Sequence, residues 1–273
     1  MVKIYKYKNT AFYSIIMMVL MAASCKKEST ESTAQLPVVE AYLMPGKNVE
    51  VRVSLQKALV DTNAYGVAIT GLELKISNGS TTQTLTEDKA GHYILDDTSY
   101  VKSKGEYRLQ FTYNNLPVSA STTVPEKPAA ITVDADTVII PKMVFGTDPT
   151  AFIPVNLSWN NAGSYNHVIV FRYQETWKSL ISNRFNSDTT TSVEVNAIKT
   201  STYAISNNTF KYYGRYKVIL MRVNEEYIEM LNSGSTTSHN LTNAPTNLTN
   251  GLGIFTALQA DTLSYNLLVK AEE

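Results

Sequence analysis

The sequence predicts an all-β protein: two β-sandwich domains of immunoglobulin or fibronectin III-like type in tandem, preceded by a lipoprotein signal peptide. Three observations predict it. Apolar residues recur at every second position in several short runs, turn-forming pairs separate those runs, and the first 25 residues have the layout of an export signal ending in a cysteine.

The N-terminus places Lys3, Lys6 and Lys8 ahead of an apolar run from Ala11 to Ala23, which stops at Ser24-Cys25. A membrane-spanning helix needs about 20 apolar residues. This run is shorter, so a cleavable signal over residues 1–24 is the expectation. Leu20 to Cys25 (LMAASC) resembles a lipobox, in which small residues let the chain lie extended in the signal peptidase while the thiol carries a diacylglyceryl group. Ala22 stands where leucine is commoner. Cys25 is the one cysteine of the chain, and acylation accounts for an otherwise odd thiol in an exported protein. Each buried methylene adds about 0.8 kcal/mol, and two or more chains make a stable anchor. Residues 25–35 are polar and lack apolar periodicity, which predicts a flexible tether. Lys27-Glu28 resembles the short charged signal that sends some lipoproteins to the cell surface. The expected location is therefore the outer membrane, lipid-anchored, with the periplasmic and the surface-exposed leaflet both left open.

Composition narrows what the folded part can be. Lys plus Arg number 24 against 24 Asp plus Glu, so no long-range field favours nucleic acid or an anionic surface. With no second cysteine, neither disulfides nor thiolate zinc sites are available, and stability must come from the apolar core.

The first β domain is expected over residues 36–125. Val49, Val51, Val53 and Leu55 alternate with polar residues, as do Leu72, Leu74 and Ile76, and Tyr107, Leu109, Phe111 and Tyr113. Pro45-Gly46, Asn78-Gly79, Ala90-Gly91, Lys104-Gly105 and Asn114-Asn115 mark the turns between. Pro125 and Pro128 interrupt any ladder, which sets residues 126–130 as a linker and 131–273 as the second domain. There Val155, Leu157 and Trp159 alternate, with Trp159 as a core anchor. His167 to Tyr173 and Tyr216 to Val223 are apolar on both faces and predict central strands, while Thr189 to Val195 predicts a more exposed one. One helix is expected near residues 224–231, capped by Asn224, with Glu225 and Glu226 in its first turn and Gly234 beyond its end. Trp177 to Phe185 suggests another helical turn.

Three segments carry a family resemblance: Leu36 to Gly46 (LPVVEAYLMPG), Leu85 to Tyr93 (LTEDKAGHY), and above all Pro245 to Phe255 (PTNLTNGLGIF). They resemble the Bacteroidota lipoproteins grouped as domain of unknown function 4249, over most of the chain after Cys25. The resemblance implies an accessory lipoprotein working beside an outer-membrane TonB-dependent transporter, and it implies no reaction. The second half also resembles a fibronectin type III sandwich: Leu157-Ser158-Trp159 is similar to its second strand, and Tyr212 to Tyr216, followed by Val218 and Leu220, to its sixth.

No catalytic or cofactor constellation is read from the residues, and the chain is expected not to be an enzyme. His92, His167 and His239 are scattered, without the spacing of a zinc site. Ser233-Gly234-Ser235 is not a nucleophile elbow. Asp96 and Asp97 are adjacent and read as turn residues. Asp134 with Asp136, or Glu87 with Asp88, offers oxygen ligands for calcium but without EF-hand spacing. The 17 tyrosines are the compositional excess. Tyr203, Tyr212, Tyr213 and Tyr227 fall near predicted loops or strand ends and are the candidate binding aromatics, set against the alternative that they fill the core. Expected partners are the membrane through the lipid, a TonB-dependent transporter, and a glycan or peptide ligand.

Overall fold

The computed structural model describes residues 35–56, 65–142, 151–182, 189–233 and 245–273. The signal peptide, Cys25, residues 26–34 of the tether, Gly234, Ser235 and His239 lie outside the described residues.

Strand after strand follows from the alternation. The first half holds β1 (Pro37–Leu43), β2 (Val49–Leu55), β3 (Lys75–Ser77), β4 (Thr82–Thr84), β5 (Thr86–Lys89), β6 (His92–Leu95), β7 (Glu106–Tyr113) and β8 (Leu116–Thr123). The second half holds β9 (Thr132–Val133), β10 (Thr137–Ile140), β11 (Asn156–Ser158), β12 (Asn166–Tyr173), β13 (Ser179–Leu180), β14 (Ser192–Ile198), β15 (Thr202–Ala204) and β16 (Tyr212–Val223). A helix, α1 (Glu225–Ser233), and β17 (Leu248–Thr249), β18 (Leu252–Thr262) and β19 (Leu267–Ala271) complete the described elements.

In β7 the period of two is unbroken: Tyr107, Leu109 and Phe111 are buried while Glu106, Arg108, Gln110 and Thr112 are exposed. Its partners β3 and β8 obey the same rule, and the five-stranded sheet β17-β8-β7-β3-β4 lays its apolar side on β1 and β2. Val39, Ala41, Leu43, Val49, Val51 and Val53 meet Ile76, Leu109, Phe111, Val118 and Ala120 there. Burying each such side chain stabilises by about 1.5–3 kcal/mol.

The second core lies between the small sheet β15-β11-β9 and the long sheet that contains β12, β16 and β19. Ile169, Phe171, Val218, Leu220 and Val269 pack on Leu157, Trp159, Ile131 and Ile205. β12 is apolar on both faces because both faces are covered: Ile169 and Phe171 enter this core, whereas Val168 and Val170 meet Tyr227 and Ile228 of α1 on the opposite side.

β18 runs through both halves. Its residues Leu252–Ala257 pair in parallel with β1, and Leu258–Thr262 pair with β16, so both halves share one eleven-stranded sheet. Leu248, Phe255 and Ala257, from the C-terminal end of the chain, belong to the first core. Residues Leu36–Glu273 form one compact unit. Between β8 and β9 the chain carries no strand, and side chains of the shared sheet hold it down. Gln259 Nε2 donates to Pro125 O at 2.7 Å, Lys127 Nζ is 2.8 Å from Asp261, and Arg222 is 3.6 Å from Glu126, which also pairs with Lys104.

Two local expectations change. α1 begins one residue after Asn224, whose amide does not cap the helix as expected from its type; Nδ2 instead donates to Thr122 Oγ1 at 3.0 Å and Thr123 O at 2.9 Å, pinning the helix to β8. Within Trp177 to Phe185, where a helical turn is expected, Ser179-Leu180 is a strand paired with Tyr213 and Tyr212 of β16, and residues 183–185 lie outside the described residues.

Candidate binding surfaces

The four candidate tyrosines do not form one exposed face. Tyr212 and Tyr227 are only 4 % and 8 % exposed, and Tyr203 and Tyr213 are half-buried against the second core. Their rings serve packing: Tyr212 lies 5.3 Å from Tyr173 and Tyr227 lies 6.1 Å, edge to face, from Tyr42. Burial, with nearby carboxylates, pushes the phenols of Tyr42 and Tyr227 up to about 12.

Much of the tyrosine excess is instead used to satisfy backbone. Tyr107 Oη accepts the Lys102 N–H at 2.7 Å and donates to Tyr100 O at 2.9 Å. Tyr216 Oη accepts the Tyr212 N–H at 3.3 Å and donates to Tyr212 O at 2.9 Å. Both resemble tyrosine corners, one in each core, in which a buried ring carries a hydroxyl back to backbone a few residues upstream: before β7 for Tyr107, and at the first residue of β16 for Tyr216. Tyr93 does the same for Leu72 N and Ile69 O, at 3.1 and 2.9 Å.

The remaining polar candidates are committed to local bonds. His92 sits with Nδ1 at 2.5 Å from Asp88, and that bond holds the Asp88 carboxyl below the usual range. His167 is buried; Nδ1 is 3.1 Å from Tyr165 O and the ring tilts against Trp159, and desolvation lowers its pKa. Glu87 accepts the N–H groups of Gly71 and Gly91, both at 2.8 Å. Asp96 accepts from Asn48, and Asp97 closes a turn on the Ser99 N–H and hydroxyl. Asp134 accepts both Asn156 N and Nδ2, at 2.8 and 2.7 Å, and Asp136 accepts the Thr137 hydroxyl. Among the described residues no three His, Cys, Asp or Glu side chains are placed to share a metal ion. No described helix is long and apolar enough to cross a membrane.

The Asn250 to Phe255 run is a piece of architecture. Asn250 takes the left-handed conformation with φ 55° in the turn from β17 to β18, and its Nδ2 donates to Pro117 O at 2.8 Å, tying that turn to β8. Gly253 has φ 93° and lies opposite Val39 in the parallel β1–β18 ladder, where any Cβ would run into the Val39 backbone. Ile254 and Phe255 then enter two different cores.

Two of the concave surfaces formed by the described residues have room for a ligand. The first is a furrow of about 460 Å³ on the outer side of the five-stranded sheet. Cross-strand register builds it: Lys75, Gln110, Ser119 and Thr249 form one row, and Ser77, Arg108 and Ser121 the next. Sequence alternation predicted a polar face here; the register aligns those residues across the strands, with Glu73 paired to Lys75 at 2.8 Å. The second is an apolar groove of about 610 Å³ between β10, the end of β19 and residues 151–155, with Ile139, Pro141, Ile153 and Pro154 in its wall. Ile153 is 80 % exposed. Pro141 and Ala151 flank residues 143–150, which lie outside the described residues.

No curated protein matches the chain. A family model described as domain of unknown function (DUF4249) matches residues 26–264, from the residue after Cys25 to the turn before β19. That span takes in both cores and the Asn250 to Phe255 run, and the chain belongs to the DUF4249 family.

Proposed function

We propose that this protein is a non-catalytic lipoprotein of the cell envelope, held in the outer membrane by lipid on Cys25, and an accessory docking or binding component of a TonB-dependent transport system. The observation that carries the reading is the order of parts along the chain: a basic flank, an apolar run ending at Cys25, a short polar stretch, and then a β body that begins with Pro37. Such an order ties a folded body close to a bilayer, where its partners are other envelope components. The family resemblance supplies the transporter as partner. The described groups weighed for chemistry, Glu87, Asp88, Asp96, Asp97, Asp134 and Asp136 with His92 and His167, are held in local bonds, which a binding role tolerates.

Affinity purification of the full chain through a C-terminal tag, from detergent-solubilised envelopes, tests it. A TonB-dependent barrel protein recovered in stoichiometric amount is the expected result, and recovery of the chain without any barrel contradicts it.

A second reading, a freestanding glycan-binding or adhesive module, is favoured by one observation: the polar furrow with aligned Lys75, Arg108, Gln110 and Ser119. Retention of the full chain on a polysaccharide gel, lost in Arg108→Ala/Gln110→Ala, would support that reading in place of the first.

A further inference from the structure

A sheet edge with unpaired N–H and C=O groups invites another strand, and folded proteins blunt such edges with shortness, bulges, prolines or lysines. The large sheet of this protein ends in β5, β10, β13 and β14, of which β13 spans only two residues. β5 spans four residues, is bulged between Glu87 and Lys89, and ends in that lysine. β10 spans four residues and runs into Pro141. The smaller sheets end in β4, β17, β15 and β9, none longer than three residues. β14 is different. It runs for seven residues, SVEVNAI, pairs with β12 in an unshifted register throughout, and contains no proline, lysine or arginine.

The phase of its ladder fixes which groups point outward. The Tyr173 N–H donates to Thr191 O at 2.8 Å, beside β14 in the same register. Alternation then turns the backbone of Val193, Val195 and Ala197 toward β12, and the N–H and C=O groups of Ser192, Glu194, Asn196 and Ile198 away from it. Among the described residues no strand takes up that outer side.

We propose that the β14 edge is an interface for a second copy of this chain, the two strands pairing antiparallel about Val195. Three features of the strand fit a copy of itself. In that register Glu194 lies opposite Asn196 of the second copy and Ser192 opposite Ile198, so every outward backbone group meets another outward backbone group. The whole strand overlaps. The single charge of β14, Glu194, faces a neutral amide, whereas a shift that centres the pair on Glu194 sets two carboxylates against each other. On the inner face Val195 meets Val195, and Val193 meets Ala197, which extends the second core's apolar layer from one copy to the next.

Cysteine scanning of the full chain in detergent tests this, with the wild type, whose one cysteine is Cys25, as background. At a non-hydrogen-bonded antiparallel pair the two Cα atoms are about 4.5 Å apart, within the range a disulfide spans. Val195→Cys is therefore expected to give at least tenfold more disulfide-linked homodimer than Val193→Cys, whose two copies are four residues out of step, about 14 Å apart at the rise of an antiparallel strand. Asn196→Pro removes an outward N–H and leaves the β12 ladder intact; it is expected to shift the light-scattering mass from dimer to monomer. Equal crosslinking of Val195→Cys and Val193→Cys, no homodimer from either, or crosslinking of Val195→Cys to a different protein overturns the proposal. Should Asn196→Pro fail to fold, the two cysteine variants still decide.

Discussion

The side-chain amide of Asn247 pairs with the backbone of Phe255 as a strand would. Its Nδ2 donates to Phe255 O at 2.7 Å, and its Oδ1 accepts the Phe255 N–H at 3.0 Å. Asn247 stands just before β17 and Phe255 is the fourth residue of β18, so this pair ties the two sides of the β17–β18 turn together. Asn247→Ala strips both partners from Phe255, whose side chain is fully buried. A loss of about 2 kcal/mol is expected, from two hydrogen bonds at roughly 1 kcal/mol each, read as a lower urea midpoint at unchanged slope.

Gly253 is the second fixed point of that turn. Its φ of 93° and the Val39 backbone facing it leave no room for a methyl group. Gly253→Ala is expected to cost about 3 kcal/mol or more, through backbone strain and separation of β1 from β18. Gly46→Ala is the comparison: its φ is 79°, but nothing lies within 4 Å of the added carbon, so strain alone, about 1–2 kcal/mol, remains. Thermal midpoints of the two variants measure the difference.

The two tyrosine corners predict a paired result. Tyr107→Phe removes the hydroxyl that bonds Lys102 N–H and Tyr100 O, and Tyr216→Phe removes the hydroxyl that bonds the N–H and C=O of Tyr212. Each ring keeps its packing, so the loss is that of the hydroxyl, about 1–3 kcal/mol. Chemical denaturation should give similar losses for both.

Alternation made much of this fold legible. Glu106 to Tyr113 and Val49 to Leu55 state their strands and their buried faces outright, and the doubly apolar His167 to Tyr173 announced a strand with both faces covered. What covered it was not legible, because the amphipathic helix after Asn224 and the strand it covers are joined only in three dimensions. β18 was hidden for a related reason. Leu252 to Thr262 shows no sign that it serves two neighbours in succession, and the parallel pairing with β1 spans more than 200 residues of sequence. The burial of Tyr212 and Tyr227 was not legible either, because a tyrosine near a strand end reads alike whether its ring meets solvent or a neighbouring ring such as Tyr173 or Tyr42.

His167 gives stability a pH dependence of known sign. Burial lowers its pKa below the ordinary value of 6.5, with Arg222 adding to the effect. The folded state thus prefers the neutral ring, and below pH 6.5 the unfolded chain binds the proton more readily. The stabilisation is fully present above that pH and is lost as pH falls from 6.5 toward the lowered folded value. His167→Gln should flatten the part of the thermal midpoint's fall between pH 7 and 5 that the wild type owes to this ring; an unchanged profile would assign the dependence elsewhere.

Radiolabelled palmitate, fed to cells producing the full chain, tests the anchor on which the functional reading stands. Label is predicted in the wild-type protein and absent from Cys25→Ala. An unlabelled wild type, or equal label in both, contradicts the account.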